Sequence, residues 1–126
     1  MWEYVAGSYD NRNANIETFL AALAHKHGVS AQVMPADLSQ PGAAEQLHTA
    51  VHRQHGVVDV LVNCAGVIQR QAELDPEVFA QTVDINLNGT MRACAAARAA
   101  LKARQGCIVN IASMLSFFWQ QPDAGL

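Results

Sequence analysis

The stretch Asp59-Val-Leu-Val-Asn-Cys-Ala-Gly66 decides the fold that this sequence predicts. Val60, Leu61 and Val62 form a short apolar run rich in β-branched residues, which is typical of a parallel strand covered on both faces. Small residues follow at once and would let a ligand approach the backbone closely. Because ligands bind just beyond the carboxyl ends of the strands in open α/β sheets, the stretch predicts a binding site at its end.

Strands and helices alternate along the rest of the chain. Short apolar runs predict strands at residues 4–7, 31–34, 57–62 and 107–111. Helical spacing predicts one helix ended by Gly28, one capped by Ser39 and ended by Gly56, one opened by Asp75-Pro76, and a long one over 84–104. This order predicts an α/β fold, a Rossmann-like three-layer parallel sheet with right-handed crossovers, in a single domain over residues 1–126.

Composition excludes several classes of protein. The chain has 126 residues, of which 51% are hydrophobic and 15% charged, so it is globular rather than disordered. The net charge of -3 argues against a nucleic-acid partner, and no apolar run reaches the length that spans a membrane. Three widely spaced cysteines predict neither a disulfide framework nor a metal site, and they favour a reducing compartment, the cytoplasm.

Polar and small residues follow the predicted strands. Asp37, Asn63, Gly66 and Ser113 come after three different strands, and the carboxyl ends of parallel strands gather on one edge of the sheet. Each residue alone has a structural interpretation: Asp37 as a loop residue, Asn63 as a partner of strand-end backbone groups, and Ser113 as a helix cap or turn residue. Taken together in this order, they favour a ligand site.

These positions together resemble the short-chain dehydrogenase/reductase family. Asp37-Leu38 is similar to the acidic residue and its neighbour that contact adenine in that family. Asn63-Cys64-Ala65-Gly66 resembles its Asn-Asn-Ala-Gly motif, with Cys64 in place of the second Asn. Asn86-Leu-Asn-Gly89 resembles the motif on its long helix, and Ile108-Val-Asn-Ile-Ala-Ser113 resembles its fifth strand with the catalytic Ser behind it.

The resemblance implies an oxidoreductase that uses NAD or NADP on a small-molecule alcohol or ketone, and a homo-oligomer in the full-length form. Ser113 would hydrogen-bond the substrate oxygen, and Asn86 would hold a water in the proton path. The residues implied to hold the cofactor are Asp37, Leu38, Asn63, Ala65 and Gly66. Within the family, Ser113-Met-Leu-Ser-Phe117 looks most like the sugar-acid branch, the 2-deoxy-gluconate and gluconate dehydrogenases.

The sequence also departs from the family. It has no Thr-Gly-x-x-x-Gly-x-Gly turn, and no Tyr stands four residues before a Lys. We therefore expect an internal piece of a longer enzyme that is inactive alone, because the phosphate-binding turn and the proton donor are absent. Without the family's first strand, either its second and fourth strands become neighbours or a gap stays lined with exposed apolar residues.

Several alternatives stay open. A non-catalytic Rossmann-like binding or assembly module would keep the sheet without the chemistry, and a receiver-type signalling domain ranks lower because no Lys follows the last strand. Asp10 and Arg12 favour NAD and NADP respectively, so the choice between the two is open. His48, His52 and His55 share one helical stripe, for which a solvated face is favoured over a zinc site.

Overall fold

The structure, a computed structural model, describes residues 2–3, 13–69 and 71–113. Its strands and α-helices are, in chain order, β1 (Trp2–Glu3), α1 (Asn13–His27), β2 (Ser30–Ala31), α2 (Ala43–His55), β3 (Val60–Asn63), α3 (Pro76–Val83), α4 (Thr90–Arg104) and β4 (Cys107–Asn110). A 3₁₀ turn over Ala72–Leu74 precedes α3, and a π-helical segment over Asp84–Gly89 joins α3 to α4. The strand predicted at residues 4–7 lies outside the described residues. None of the described helices is both long enough and apolar enough to cross a bilayer.

All strand pairing in the described ranges is parallel, as predicted. β1 pairs with β2, and β3 pairs with β4 over four residues, from Val60 opposite Cys107 to Asn63 opposite Asn110. The described strands form two separate pairs rather than one sheet. Val60 and Val62 are each 53% exposed, so the expectation that this strand is covered on both faces is wrong for the described residues. The choice between the two outcomes expected for the sheet depends on the strand predicted at residues 4–7, which lies outside the described residues.

The strand boundaries differ from the predicted ones. The strand predicted over 57–62 begins only at Val60 and includes Asn63, because pairing with β4 begins where the Asp59 carbonyl accepts the Cys107 N–H at 3.0 Å. The strand predicted over 31–34 is the two-residue β2, since its only described partner is the two-residue β1. The strand predicted over 107–111 ends one residue earlier, although the Ile111 N–H still donates to the Asn63 carbonyl at 2.9 Å.

Helix α2 begins four residues later than the predicted cap. The prediction that Ser39 caps it is wrong, because the Ser39 hydroxyl and N–H both donate to the Asp37 carboxylate, at 2.7 and 3.0 Å. The helix instead follows Gly42, which has a φ of 79° that glycine adopts without strain. Its predicted end is confirmed, since the Gly56 N–H donates to the His52 carbonyl at 2.8 Å.

Helix α3 and the long helix form one run. As predicted, Asp75 caps α3, and its carboxylate accepts from the N–H groups of Glu77 and Val78 at 2.8 and 3.3 Å. The long helix has no start of its own at Asp84, because the residues before and after that point keep α-helical dihedral angles. α4 packs on α2 and β3 and buries Ala97 and Leu101. Its predicted end at Arg104 is confirmed, and Gln105 follows in the left-handed region with a φ of 54°.

Candidate functional site

The carboxyl ends of β3 and β4 are joined by two asparagine side chains. The Asn63 side-chain amide donates to Asn110 Oδ1 at 2.8 Å and to the Cys94 Sγ at 3.3 Å. Asn63 and Asn110 are also register partners in the parallel pair, so their side chains lie on the same face. Asn63 therefore links the ends of both strands to α4, and its partners in these contacts are side chains rather than the strand-end backbone groups of the structural interpretation.

The loop after β3 is fixed to the π segment by Asn86. The Asn86 side chain accepts from the Val67 N–H at 2.8 Å and donates to the Val67 carbonyl at 2.9 Å, so it binds both backbone groups of one residue. A Cβ added at Gly66 would lie 3.4 Å from Asn86 Oδ1, at the near limit of ordinary van der Waals contact. The Asn86 side-chain amide therefore fixes the position of the loop after β3.

The turn after β2 presents the Asp37 carboxylate to solvent. Asp37 Oδ1 accepts from the Ser39 N–H and hydroxyl, and Oδ2 accepts from the Gln40 side chain at a longer 3.3 Å. These hydrogen bonds, that of the Ser39 hydroxyl first, hold the pKa of Asp37 below its ordinary value of 3.8, so the carboxylate is ionised near neutral pH. Leu38 turns inward and is only 9% exposed.

Both loops contact the same π segment. Leu38 packs on Gly89 so closely that a Cβ added at Gly89 would lie 3.2 Å from the Leu38 Cβ. Gly89 and Asn86 are three residues apart, about one helical turn, so one short stretch of helix contacts the turn that carries Asp37 and the loop that carries Gly66. Ser113 is exposed and follows β4 by three residues, on the edge at which β3 also ends.

Sequence reasoning missed one charged pair beside this segment. Arg92 Nη1 and Nη2 lie 3.0 and 2.8 Å from the two oxygens of Asp84, which also accepts from Asn88 at 2.9 Å. Hydrogen bonding from Arg92, and then from Asn88, lowers the pKa of Asp84. The available signal was the spacing of four between Asp84, Asn88 and Arg92, which places all three on one helical face.

The histidine stripe is only partly solvated. The His48 and His52 rings stack with their centroids 6.2 Å apart, and His48 Nε2 is buried with no hydrogen-bond partner among the described residues. Burial, and then the charge of His52, lower the pKa of His48. The solvated-face interpretation therefore applies only in part to His48, which is half-buried. The described part of the chain holds no group of three or more side chains placed to bind a metal ion.

A cavity of about 570 Å³ opens between the turn after Leu38 and the helical run. It is lined by Ser39, Ala80, Gln81, Asp84, Ile85 and Asn88. None of the residues that the sequence predicted for the site lines it. The candidate site is therefore the exposed rim formed by the loops after the strands, and the cavity lies beside it.

The short chain dehydrogenase family matches residues 3–122 of this chain. The chain belongs to this family. Membership confirms the resemblance carried by the motifs, and the solved structures of short-chain dehydrogenases described next confirm the Rossmann-like fold class.

Relatives in this family are named dehydrogenases. The 2,3-dihydroxy-2,3-dihydro-p-cumate dehydrogenase of Pseudomonas putida is 40% identical over 92 residues, which cover 71% of this chain and 36% of that protein. A short-chain type dehydrogenase/reductase from Mycobacterium ulcerans has a TM-score of 0.77 and 28% identity, covering 91% of this chain and 43% of that one. An alcohol dehydrogenase from Thermococcus sibiricus, complexed with 5-hydroxy-NADP, has a TM-score of 0.71 and 26% identity, covering 85% and 45%. This short-chain dehydrogenase thus spans less than half the length of each of these three proteins.

Proposed function

We propose that this chain carries the adenine-binding half of an NAD(P)-dependent oxidoreductase that acts on an alcohol or a ketone. One observation supports the proposal above the others. The π segment binds the loop that holds Gly66 through Asn86 and seats Leu38 against Gly89, and both loops match family motifs for the cofactor. The turn that carries Asp37 and Leu38 and the loop that carries Gly66 are thereby attached to one short stretch of helix.

The chemistry of Asp37 suits an adenine. Its carboxylate is ionised, exposed and held by Ser39. Among the described residues Oδ2 has only the long Gln40 contact, so it can accept from the exocyclic amino group of the base. Gly66 has no side chain to keep the cofactor from the backbone of its loop. Ala65 and Asn63 belong to the same loop and strand end.

At the other end of the site, the Ser113 hydroxyl would donate a hydrogen bond to the substrate oxygen and polarise it. A bound nicotinamide would exchange a hydride with the substrate carbon. Asn86 would hold a water in the proton path, and its side chain also binds both backbone groups of Val67, which fixes the loop after β3.

We propose further that these 126 residues alone turn over no substrate and bind the cofactor weakly. The support is that no Tyr in the sequence stands four residues before a Lys, so the group that moves the proton in this family is not among them. Assaying the purified chain by nicotinamide absorbance, with alcohols and ketones as substrates, should give no signal above the buffer. Robust turnover would contradict this part of the proposal.

We propose a sugar acid as the substrate. The sugar-acid substrate rests on the stretch from Ser113 to Phe117, most of which lies outside the described residues, while the Pseudomonas relative is named for a dihydrodiol. Both NAD and NADP are proposed, since Asp10 and Arg12, the residues that would favour one or the other, lie outside the described residues.

A homo-oligomer of the full-length form is supported by Leu87 and Met91, which are exposed on the long helical run. A cytoplasmic location is supported by the three cysteines, which form no disulfide.

Adenine binding can be tested with adenosine monophosphate and nuclear magnetic resonance. The amide signals of Leu38, Ser39, Gly66 and Val67 should shift on titration of the wild-type chain. The Asp37→Asn variant should weaken this binding about tenfold, because a neutral amide replaces a charged acceptor. Asp75→Asn is the matched control: it makes the same chemical change at an exposed cap, where Asn serves as well, and should leave binding unchanged. Equal affinities of the two variants for adenosine monophosphate would contradict the proposal.

A further inference from the structure

Arg92 connects two parts of the chain that are 54 residues apart. One guanidinium nitrogen, Nη1, lies 3.1 Å from the Leu38 carbonyl oxygen and 3.0 Å from Asp84 Oδ2, while Nη2 lies 2.8 Å from Asp84 Oδ1. The side chains of Arg92 and Asp84 are 32% and 31% exposed, so the pair is partly shielded from water. A single side chain therefore joins the first residue of the π segment to the turn that carries Asp37.

This contact fixes the turn from a second direction. Leu38 already packs on Gly89, which resists movement toward the helix, and the Arg92 hydrogen bond to the Leu38 carbonyl resists movement away from it. Because Asn86 fastens Val67 to the same segment, the distance between the two loops depends on the helix between residues 84 and 92. Arg92 and Asn86 together hold both loops on it.

We propose that Arg92 is a positioning residue that sets the Asp37–Leu38 turn for the adenine end of the cofactor, an inference that rests on the function proposed above. The planar guanidinium fork is required, since it can donate to both Asp84 oxygens and to a backbone carbonyl together. A lysine ammonium at the same place has one centre and cannot keep all three contacts in this geometry. Arg92 touches no reacting atom; it acts through Leu38 and Asp37.

The test compares Arg92→Gln and Arg92→Lys with a matched control on the same helix. Arg104 forms the other arginine–aspartate pair of α4, 2.8 Å from Asp59, and more than half of each side chain is exposed. Arg104→Gln therefore removes an ion pair of the same kind without touching the turn. Three quantities are measured for each variant: amide hydrogen exchange at residues 38–40, exchange in β3 and β4, and affinity for adenosine monophosphate.

Arg92→Gln should raise exchange at residues 38–40 about tenfold and weaken adenosine monophosphate binding about five- to tenfold. Exchange in β3 and β4 should match that of the wild type, because a local change of the turn leaves the strands unaltered. Arg92→Lys should show the same two effects at reduced size. A purely structural role would instead raise exchange throughout the fold.

Three results would overturn the inference: unchanged exchange at residues 38–40 in Arg92→Gln, Arg92→Lys behaving as the wild type, or equal effects of Arg92→Gln and Arg104→Gln. A wild-type chain that binds no adenosine monophosphate, with the turn still loosened in Arg92→Gln, has a separate meaning. It would refute the proposed cofactor site and support only the hold of Arg92 on the turn. The two failures are therefore distinguishable.

Discussion

A single hydrogen atom in place of a methyl group decides how closely the chain can fold at Gly106. A Cβ added there would overlap the Asp59 carbonyl oxygen and would lie 2.9 Å from Leu101 Cδ2. The same carbonyl accepts the Cys107 N–H at 3.0 Å, the first bond of the β3–β4 pairing. The close approach of Gly106 is thus part of how α4 leads into β4.

Gly106→Ala should destabilise the fold by about 2–4 kcal/mol, because backbone atoms rather than a flexible side chain must move. Gly28→Ala is the control for a glycine with no atom near the added Cβ, although its φ of 63° carries a smaller backbone cost of about 1 kcal/mol. Urea unfolding followed by circular dichroism measures both. Equal losses in the two variants would show that the overlap at Gly106 relaxes freely.

At this scale the sequence predicts identities better than contacts. The residue types of Asp37, Gly66 and Asn86, and their order along the chain, suffice to point to a cofactor site. The use of the Asn86 side chain is not predictable, because Val67 lies 19 residues earlier and only the fold brings the two together. The hydrogen bond from Arg92 to the Leu38 carbonyl is not predictable from the sequence for the same reason.

At the scale of elements, local rules explain the helix ends well and the strand ends poorly. Asp75 caps α3 and Gly56 ends α2 as predicted, since both effects depend on neighbours within four residues. Ser39 fails as a cap because the nearby Asp37 carboxylate competes for its hydroxyl. The short strands depend on partners far along the chain, so their bounds shift by one to three residues.

Helix α2 carries a pH-dependent element in His48. Burial holds the pKa of His48 below its ordinary value of 6.5, so the unfolded chain binds a proton there more readily than the folded one. The stabilising contribution is complete above pH 6.5 and is lost as the pH falls from there through the lower folded pKa. The groups facing this ring include His52, whose own charge would add to the effect.

The urea midpoint should accordingly fall as the pH drops below about 6.5, and His48→Leu should remove part of that fall. His27→Gln changes an exposed histidine in the last turn of α1 and serves as the control. Unfolding curves at several pH values measure the effect. A slope in His48→Leu as steep as in the wild type would assign the pH dependence to other groups.

At the scale of the whole molecule, the two strand pairs leave apolar surface uncovered. Val60 and Val62 lie on the same face of β3 and are each about half exposed. Ile111, which follows the adjacent β4, is 57% exposed. A sheet with an unpaired edge and an apolar face favours association between copies. The need for such cover is predictable from the motif order, whereas the exposure of each residue is not.

Val62→Thr should reduce self-association with little change in stability, because threonine keeps the branched shape that suits a strand while adding a hydroxyl at an exposed place. Val51→Thr makes the same change at a buried position of α2 and should cost about 1–3 kcal/mol, since its hydroxyl would be desolvated. Sedimentation velocity over a range of concentrations measures association. Unchanged association in Val62→Thr would mean that this face is not where copies meet.

The π segment also sets the rotational phase of everything that follows it. A π turn contains about one residue more than an α turn, so side chains after Gly89 are rotated by about 100° from where a regular helix continuing from Pro76 would place them. Ala97 and Leu101 are buried in this offset phase. The set of α4 residues that become core thus depends on the number of residues in the π segment rather than on the alanines themselves. Losing one residue from that segment would turn a different stripe of side chains toward α2.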